Sequence, residues 1–379
     1  SYLDWLVGAG QESGLIGNIH DINARVDYKV DQHSQWNFWV YNGRDKYGLS
    51  SEVDEVDSLN RRVVFSFDLL ISWQNTQIGS RYSHEFKSNH FGSFTTGYSR
   101  FVYSNLFNLD GSITQGANTQ TAQIREELKN AITDYTANGD FSYVYSPQHT
   151  IRYGSHFTYH NLRPGQTRIQ ENTNLANRDT TFGVANVQNI AEWANYAELD
   201  MHPNIGLSVN FGLRVWTFVT NTKTYVRPEP RLIISQLLEG KKRIQLGFSV
   251  ANQGLNQLSS VNGSLPRDVW FPSSASFRPQ RTTQISCAYL FPLATGVEFS
   301  AEGYYKWFDG ITDLTGVEED PFVKDFWERS IVQGTGRARG FEAMITKKTG
   351  SGTGLLSYTY SKTERTFEFI NDGKPFDYR

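Results

Sequence analysis

Cysteine, methionine, net charge and long apolar runs are all scarce in this sequence of 379 residues. With a single cysteine, the chain cannot form an internal disulfide. Its 36 Lys and Arg residues almost balance its 39 Asp and Glu residues, which disfavours a nucleic-acid partner. Mean hydropathy is −0.50 and no run of roughly 18 uncharged apolar residues occurs, so the sequence predicts no membrane-spanning helix.

Aromatic residues make up 14% of the chain, and many lie in stretches where apolar and polar residues alternate. The clearest stretch has Ile205, Leu207, Val209, Phe211, Leu213 and Val215 at every second position. Residues 244–250 and 297–307 repeat the pattern, and residues 21–30 set five charged or amide side chains against an apolar row. A period of two predicts strands with one apolar face and one face in contact with water.

The same reading of the whole chain gives fourteen candidate strands. They span residues 16–30, 34–46, 68–86, 89–107, 134–146, 149–163, 188–201, 204–219, 224–238, 242–257, 279–291, 295–311, 335–348 and 353–369. Most are longer than the roughly 5 to 6 residues usual in globular sheets. Short turns alternate with long polar connections at 47–67, 164–187, 258–278 and 312–334. This organisation predicts an all-β fold, a transmembrane antiparallel up-and-down β-barrel with short periplasmic turns and long extracellular loops.

The aromatic residues near the strand ends fit the girdles that such barrels have at the two membrane interfaces. The expected girdle residues are Tyr143, Tyr145, Tyr153, Tyr159, Trp216, Phe218, Tyr305, Trp307, Tyr358 and Tyr360. The alternative is that they are core residues of a soluble β-sandwich. A single stretch has helical spacing, because Ile124, Leu128 and Ile132 recur every four residues, and we expect a short helix there inside a loop.

No motif for catalysis or metal binding is present in the sequence. The HExxH, Walker and GxSxG patterns do not occur, and Cys287 alternates with apolar residues as a lipid-facing side chain would. On a strand, His156 and His160 lie roughly 13 to 14 Å apart and cannot share one metal ion. We therefore expect no enzymatic site, no metal and no cofactor, and interpret Arg152, His156 and His160 as a polar row facing the lumen.

Ligand recognition is expected where the long connections close over the lumen, because the short turns have too little chain to form a pocket. The residues expected to bind a ligand are Arg152, His156, His160, Asp268 and Trp270. The last two belong to the connection between residues 256 and 277. Because Leu265-Pro266 and Phe271-Pro272 stiffen this connection, a second interpretation is that it only determines how the chain re-enters the wall.

Several motifs of this chain resemble those of one family. They are residues 21–29 (DINARVDYK) with 43–46 (GRDK), 265–274 (LPRDVWFPSS) with 278–281 (RPQR), 303–306 (GYYK), 336–342 (GRARGFE) and 357–361 (SYTYS). In these motifs, and in residues 1–6 and 376–379, the chain resembles the TonB-dependent outer-membrane transporters. The resemblance is strongest to the Bacteroidetes-type receptors that carry a carboxypeptidase-like regulatory domain before the plug.

The resemblance implies uptake of a scarce nutrient across the outer membrane of a Gram-negative cell, either a metal chelate, a vitamin, an oligosaccharide or a peptide. It implies a barrel of roughly 22 strands that is occluded by a plug, through which a TonB-type protein of an energising inner-membrane complex acts. Outer-membrane lipid, a small nutrient ligand and a surface lipoprotein are the other implied partners. We expect residues 1–379 to form about 14 strands of such a barrel, with the plug and the last strands outside this chain.

Three alternatives stay open from the residues alone. A passive porin or channel would show the same alternation. A soluble carbohydrate-binding β-rich adhesin would also contain many aromatic residues, but it predicts strands of about 5 to 6 residues and loops of equal length at both ends. An outer-membrane enzyme would need a Ser/His or paired-acid site at the outer rim, and none can be assembled from this sequence.

Overall fold

The computed structural model describes residues 12–174, 176–183, 187–260, 267–314 and 331–378. Its strands are β1 (Glu12–Lys29), β2 (Ser34–Val56), β3 (Arg62–Lys87), β4 (His90–Gln115), β5 (Asn118–Ser146), β6 (His149–Thr173), β7 (Asn177–Gly183), β8 (Gln188–Asn204), β9 (Leu207–Val219), β10 (Thr224–Leu238), β11 (Lys242–Gln253), β12 (Leu255–Ser260), β13 (Arg267–Pro272), β14 (Gln280–Ala294), β15 (Val297–Leu314), β16 (Ile331–Lys347), β17 (Gly354–Thr366) and β18 (Phe376–Asp377). Within the described ranges, no helix is long and apolar enough to cross a membrane. The family motif at residues 1–6, and parts of the expected long connections at 261–266 and 315–330, lie outside the described residues.

Most strands belong to one antiparallel sheet in which neighbours in sequence are neighbours in space. The order is β1 to β6, β8 to β11 and β14 to β18, with β7 paired to the far part of β6 and with β12 and β13 forming a separate two-stranded sheet. In the described part of the chain, no pairing joins β1 to β17 or β18, so this large sheet has two open edges. The predicted up-and-down wall is confirmed, and all fourteen predicted strands are present as β1–β6, β8–β11 and β14–β17.

Short turns connect the strands at one end of the sheet. Residues 88–89, 147–148, 205–206 and 295–296 each join two long strands. Gly206 and Gly296 have φ angles of 95° and 73°, a conformation that residues with a side chain rarely adopt. The longest connections, between β11 and β14 and between β15 and β16, lie at the opposite end, but short turns at 57–61, 116–117 and 220–223 lie there too. The predicted asymmetry of the two rims therefore holds for these longest connections and not for every one.

The expected long loops at 47–67 and 164–187 are largely strand, which corrects the prediction. β2 and β3 have 23 and 26 residues and leave only a turn at 57–61 between them. A membrane crossing takes about 9 to 11 residues, so these strands continue well past it. Both faces of such an extension meet water, and residues 50–57 are accordingly mostly polar at both alternating positions. The alternation of Phe65 and Phe67 with polar residues is too short to have extended the predicted strand.

The helix expected around Ile124, Leu128 and Ile132 is also wrong, because this segment belongs to β5. It pairs with β4 on one side and with β6 on the other. Residues four apart share a face of a strand as well as of a helix, so the spacing alone could not distinguish the two. Leu128 is 5% exposed, so the apolar spacing belongs to a buried face of a strand.

The two faces of the sheet differ in chemistry as the alternation predicts. On the outer face, Phe211, Leu213 and Leu246 are 51%, 43% and 48% exposed, as expected for side chains that contact lipid. Polar and charged residues occupy the inner face. Val250 departs from the expectation for residues 244–250, because it is only 7% exposed near the end of β11, where the chain leaves the wall.

Eight of the ten expected girdle residues lie on the outer face. Directly paired residues of neighbouring strands share a face, and the register carries this assignment across the sheet, for instance from Tyr135 to Tyr159. Trp216 and Phe218 are the two exceptions, since both point inward and are fully buried. They lie two and four residues after Arg214 on β9 and therefore share its inward face. Alternation thus predicts their orientation correctly, whereas their position near a strand end does not.

Candidate functional site

The strands β12 and β13, here called the inner ribbon, fold back over the inner face of the sheet. β13 lies against β6, and β12 approaches β15 on the other side. The ribbon adjoins an apolar cluster formed by Leu162, Ile190, Ala194, Trp216, Phe218 and Tyr225, against which Leu255 and Trp270 pack. Chain that leaves the wall between β11 and β14 therefore covers side chains of β6, β8, β9 and β10.

Buried polar residues hold the two ends of the inner ribbon together. Asn256 is fully buried, donates through Nδ2 to Ser273 Oγ (3.3 Å) and accepts from Gln280 Nε2 (2.8 Å). The Ser273 amide donates to the Gly254 carbonyl (2.7 Å). Because a buried polar group is costly to leave unpaired, these bonds favour one position of the ribbon over others.

Next to this cluster, carboxylates and a histidine alternate across neighbouring strands. His160 Nδ1 lies 2.8 Å from Asp134 Oδ1 on β5, and His160 Nε2 lies 3.6 Å from Glu192 Oε2 on β8. Trp216 Nε1 on β9 donates to Glu192 Oε1 (2.8 Å). His160 is only 7% exposed, so this part of the inner face is closed to bulk water.

Arg214 extends the set of charged side chains to β10. Its Nη1 atom lies 2.7 Å from Glu229 Oε2, and its Nη2 atom lies 3.7 Å from Glu192 Oε1. The backbone and side-chain nitrogens of Asn252 donate to Glu229 Oε1 at 2.6 and 3.0 Å. Glu229 is buried, and both of its oxygens are paired, as burial of a carboxylate requires. Asp134, His160, Glu192, Arg214 and Glu229 are here called the polar row.

A cavity of about 340 Å³ opens on the inner face beside the polar row. Its polar lining consists of Arg152, His156, Tyr196, Glu198, Arg214, Glu229 and Arg231. His156 Nε2 lies 2.7 Å from Asp140 Oδ1, and the Tyr196 hydroxyl donates to the same oxygen (2.6 Å). One carboxylate thereby orients both rings toward the cavity.

The arginines of this cavity are each paired with a carboxylate. Arg152 pairs with Asp200 of β8, and Arg231 Nη1 lies 3.5 Å from Glu198 Oε1. The lining thus presents charges of both signs, with hydrogen-bond donors and acceptors close together. Such a surface suits a polar ligand that offers groups of both kinds.

The structure brings only some of the expected ligand-binding residues together. Arg152 and His156 line the same cavity, whereas His160 is buried in the polar row. Trp270 packs on the apolar cluster instead of standing at the rim, and the side chain of Asp268 lies outside the described residues. The two histidines contact different carboxylates, in keeping with their spacing on a strand.

Sequence reasoning missed most of the other cavity residues. Tyr196, Glu198 and Arg231 lie at alternating positions of β8 and β10, so alternation alone assigns them to the inner face. Which strands lie side by side at that height depends on register, which alternation does not give. In the part of the chain that the structure describes, no group of three or more His, Cys, Asp or Glu side chains could hold a metal ion.

Comparison with known proteins yields one family and a set of similar folds. The model of a family described as TonB dependent receptor-like, beta-barrel, matches residues 11–379. A search of curated proteins found no match.

Among solved structures, the ferripyoverdine receptor of the outer membrane of Pseudomonas aeruginosa is 9% identical, with a TM-score of 0.54 over 97% of this chain and 56% of that one. The ferric-catecholate import receptor Fiu from E. coli is 12% identical, with a TM-score of 0.52 over 96% of this chain and 66% of that one. The RagAB peptide transporter is 7% identical, with a TM-score of 0.52 over 94% of this chain and 53% of that one. At such identities the likeness is one of fold, and this chain spans between about half and two thirds of the length of these relatives.

Proposed function

The chain belongs to the TonB-dependent receptor-like β-barrel family, and we propose that it forms part of the barrel wall of a nutrient transporter. The complete protein would take up a scarce nutrient across the outer membrane of a Gram-negative cell. Energy would come from an inner-membrane complex, through a TonB-type protein acting on a plug in the complete protein. The observation that carries the proposal is the contrast between an exposed apolar outer face and an inner face with a polar cavity beside a folded-in ribbon.

We propose that the ligand contacts the inner cavity through Arg152 and His156, with Tyr196 and Arg231 beside them. His160 would act indirectly, because it is buried between Asp134 and Glu192 and holds the wall beneath the ribbon. Trp270 would hold the ribbon against the apolar cluster. Asp268 stays a proposed contact at the outer rim.

The mixed charges of the cavity support a polar nutrient. A metal chelate, a vitamin, an oligosaccharide and a peptide all satisfy this description. Outer-membrane lipid and a surface lipoprotein are the further proposed partners. Family and fold relatives are transporters and receptors, and the proposed role includes no catalytic step.

Energised uptake can be tested in the cell of origin with the complete protein. Deletion of its reading frame should abolish uptake of at least one radiolabelled probe from a panel of ferric chelates, cobalamin, oligosaccharides and oligopeptides. Uptake should also be lost when the TonB-type gene is deleted. Transport that needs the barrel but not the TonB-type protein would instead indicate a passive channel, and unchanged uptake of every probe would contradict the proposal.

A further inference from the structure

The outer face carries a cavity of about 420 Å³ across β4, β5 and β6. Three tyrosines border it in one row, because Tyr98 pairs with Tyr135 and Tyr135 pairs with Tyr159. The next row along the strands contains Arg100, Thr133 and Asn161, and Arg163 follows one row further. Tyr135 is 52% exposed, and both arginines are exposed on the surface. These residues are here called the outer basic site.

The height of the outer basic site follows from the strand lengths. Tyr98 is the ninth residue of β4, and Tyr159 is the eleventh residue of β6, counted from the short-turn end. A strand crosses the hydrocarbon of a membrane in about 9 to 11 residues. The tyrosines therefore lie at the outer interface, and Arg100 and Arg163 lie at the level of the lipid headgroups.

Both arginines lack a carboxylate partner among the described residues. Glu127, which lies four residues from Ala131 along β5, is already paired, since Lys129 Nζ lies 2.6 Å from its Oε1 atom. No carboxylate belongs to the lining of the cavity. Elsewhere on the outer face an arginine is neutralised within the protein, as Arg337 Nε lies 2.6 Å from Glu364 Oε2. The outer basic site thus offers guanidinium donors that the protein itself leaves available.

An apolar groove continues from the outer basic site toward the centre of the membrane. A second cavity of about 560 Å³ lies on the same strands and is bordered by Phe94, Phe141 and Tyr153. Ala137 and Gly139 form its floor, and a Cβ atom at Gly139 would stand 3.6 Å from the nearest ring atoms. Cationic donors above an apolar groove match the shape of a lipid with an anionic headgroup.

We propose that this outer surface binds a phosphorylated glycolipid of the outer leaflet, with Arg100 and Arg163 donating to a headgroup phosphate and an acyl chain lying in the groove over Gly139. The planar guanidinium fork matches phosphate geometry and forms strong charge-assisted hydrogen bonds. Basic pockets on membrane proteins bind lipid headgroups in this way, while interfacial tyrosines bury their rings and wet their hydroxyls. The proposal rests on the outer-membrane location given above and is independent of the transported ligand.

Lipid retention by the complete protein, purified in detergent and stripped of lipid, tests the proposal by native mass spectrometry. The probes are bis-phosphorylated lipid A, its dephosphorylated form, phosphatidylglycerol and inorganic phosphate. We expect lipid A to be retained about tenfold more tightly than the dephosphorylated form or phosphatidylglycerol, and R100Q/R163Q to lose about tenfold in lipid A affinity, as removal of charge-assisted bonds implies. R337Q, which alters a paired arginine of the same face, should bind as the wild type does.

A second variant separates a lipid site from a site for a free anion. Gly139→Leu adds a Cβ atom at ordinary contact distance, 3.6 Å from the rings of Phe94 and Phe141, without backbone strain. The rest of its side chain would occupy the groove, so the variant should weaken lipid A retention while both arginines stay in place. The proposal would be overturned if R100Q/R163Q retained lipid A as tightly as the wild type does. It would also be overturned if the wild type retained the dephosphorylated lipid as tightly as lipid A. If inorganic phosphate displaced lipid A and bound with the same affinity, the surface would be a site for a free anion, and the proposal would also be overturned.

Folding is checked on the same samples through the heat-dependent gel mobility of an intact barrel. R100K/R163K keeps both charges and should stay within about threefold of the wild type in lipid A affinity, whereas an affinity as low as that of R100Q/R163Q would contradict a charge-based site. Nutrient uptake is not part of this measurement, so failure here leaves the transport proposal standing, and failure of transport leaves lipid binding testable.

Discussion

Trp216 Nε1 donates a hydrogen bond of 2.8 Å to Glu192 Oε1, and both side chains lie on the inner face of the sheet, beneath the inner ribbon. Glu192 also faces His160 and Arg214, at 3.6 and 3.7 Å. One carboxylate therefore links β6, β8 and β9 at the height where the ribbon packs. This arrangement makes the stability of the wall and the position of the ribbon depend on the same few side chains.

Replacing Glu192 by Gln should destabilise the complete protein by about 1 to 3 kcal/mol, because His160 and Arg214 lose a partner in a partly buried site. The free energy of unfolding in urea, measured in lipid bilayers, would show the loss. Glu298→Gln is a suitable control, since the ion pair of Glu298 with Lys348 is largely exposed and should contribute little. Equal losses in both variants would contradict the role of the polar row.

Replacing Phe211 by Arg should cost about 2 to 4 kcal/mol, because Phe211 lies on the lipid-facing side near the middle of β9. Ser208→Arg, on the opposite face of the same strand, should cost much less. The comparison is made by refolding the complete protein into bilayers and titrating it with denaturant. Similar costs at the two positions would mean that the assignment of outer and inner faces is wrong.

Replacing Asn256 by Ala should loosen the inner ribbon without unfolding the wall. The change leaves Gln280 Nε2 and Ser273 Oγ without their buried partner, at a cost of about 1 to 3 kcal/mol. Backbone amides of β12 and β13 should then exchange hydrogen at least tenfold faster, as measured by mass spectrometry. Asn42→Ala, which removes a bond to Thr76 on the outer face, should leave the ribbon amides unchanged. A uniform increase over all strands would show that Asn256 stabilises the wall instead.

The turn between β2 and β3 should open in acid. The Arg61 guanidinium donates to Asp57 Oδ2 (2.8 Å), and the Arg61 and Leu59 amides donate to Oδ1 (2.9 Å each). These bonds, that of the guanidinium most of all, hold the pKa of the Asp57 carboxyl below its ordinary value of 3.8. A lowered pKa in the folded state stabilises the turn above pH 3.8 and ceases to do so as pH falls through the folded pKa.

Exchange of the Leu59 and Arg61 amides, corrected for intrinsic rates, reports this change. Protection in the wild type should be constant from pH 7 to pH 5 and should fall only in stronger acid. Asp57→Asn should show weaker protection that does not vary with pH in this range. Loss of protection already at pH 5 to 6 would contradict the depressed pKa of Asp57.

Deleting residues 259–275 tests whether the inner ribbon also recognises the ligand. The deletion removes β13 and Ser273, so it exposes Trp216 and Phe218 to the lumen. We expect normal outer-membrane abundance with lost uptake if the ribbon contacts the ligand. Normal uptake would assign it a structural role alone. Trp270→Ala, which removes one side chain and leaves the rest of the ribbon in the chain, checks the case in which the deleted protein is not inserted.

The sequence by itself determined the existence and order of the fourteen long wall strands and which face of their membrane-crossing part is apolar. Alternation along residues 204–215 is a local property, because successive side chains of a strand point to opposite faces whatever the neighbours are. The family motifs likewise need no tertiary information. The same local rule could not distinguish a helix from a strand at Ile124, Leu128 and Ile132, since residues four apart share a face in both.

Only the tertiary structure decided what covers the inner face and which charges meet. Trp216 lies two residues after Arg214, so alternation already predicts that it points inward. Its burial, however, depends on Leu255 and Trp270, which come about 40 to 55 residues later in the chain. The contact of His160 with Glu192 depends on the register between β6 and β8. Register is set by cross-strand packing and by the turns together, and a shift of one residue would send each of these side chains to the lipid.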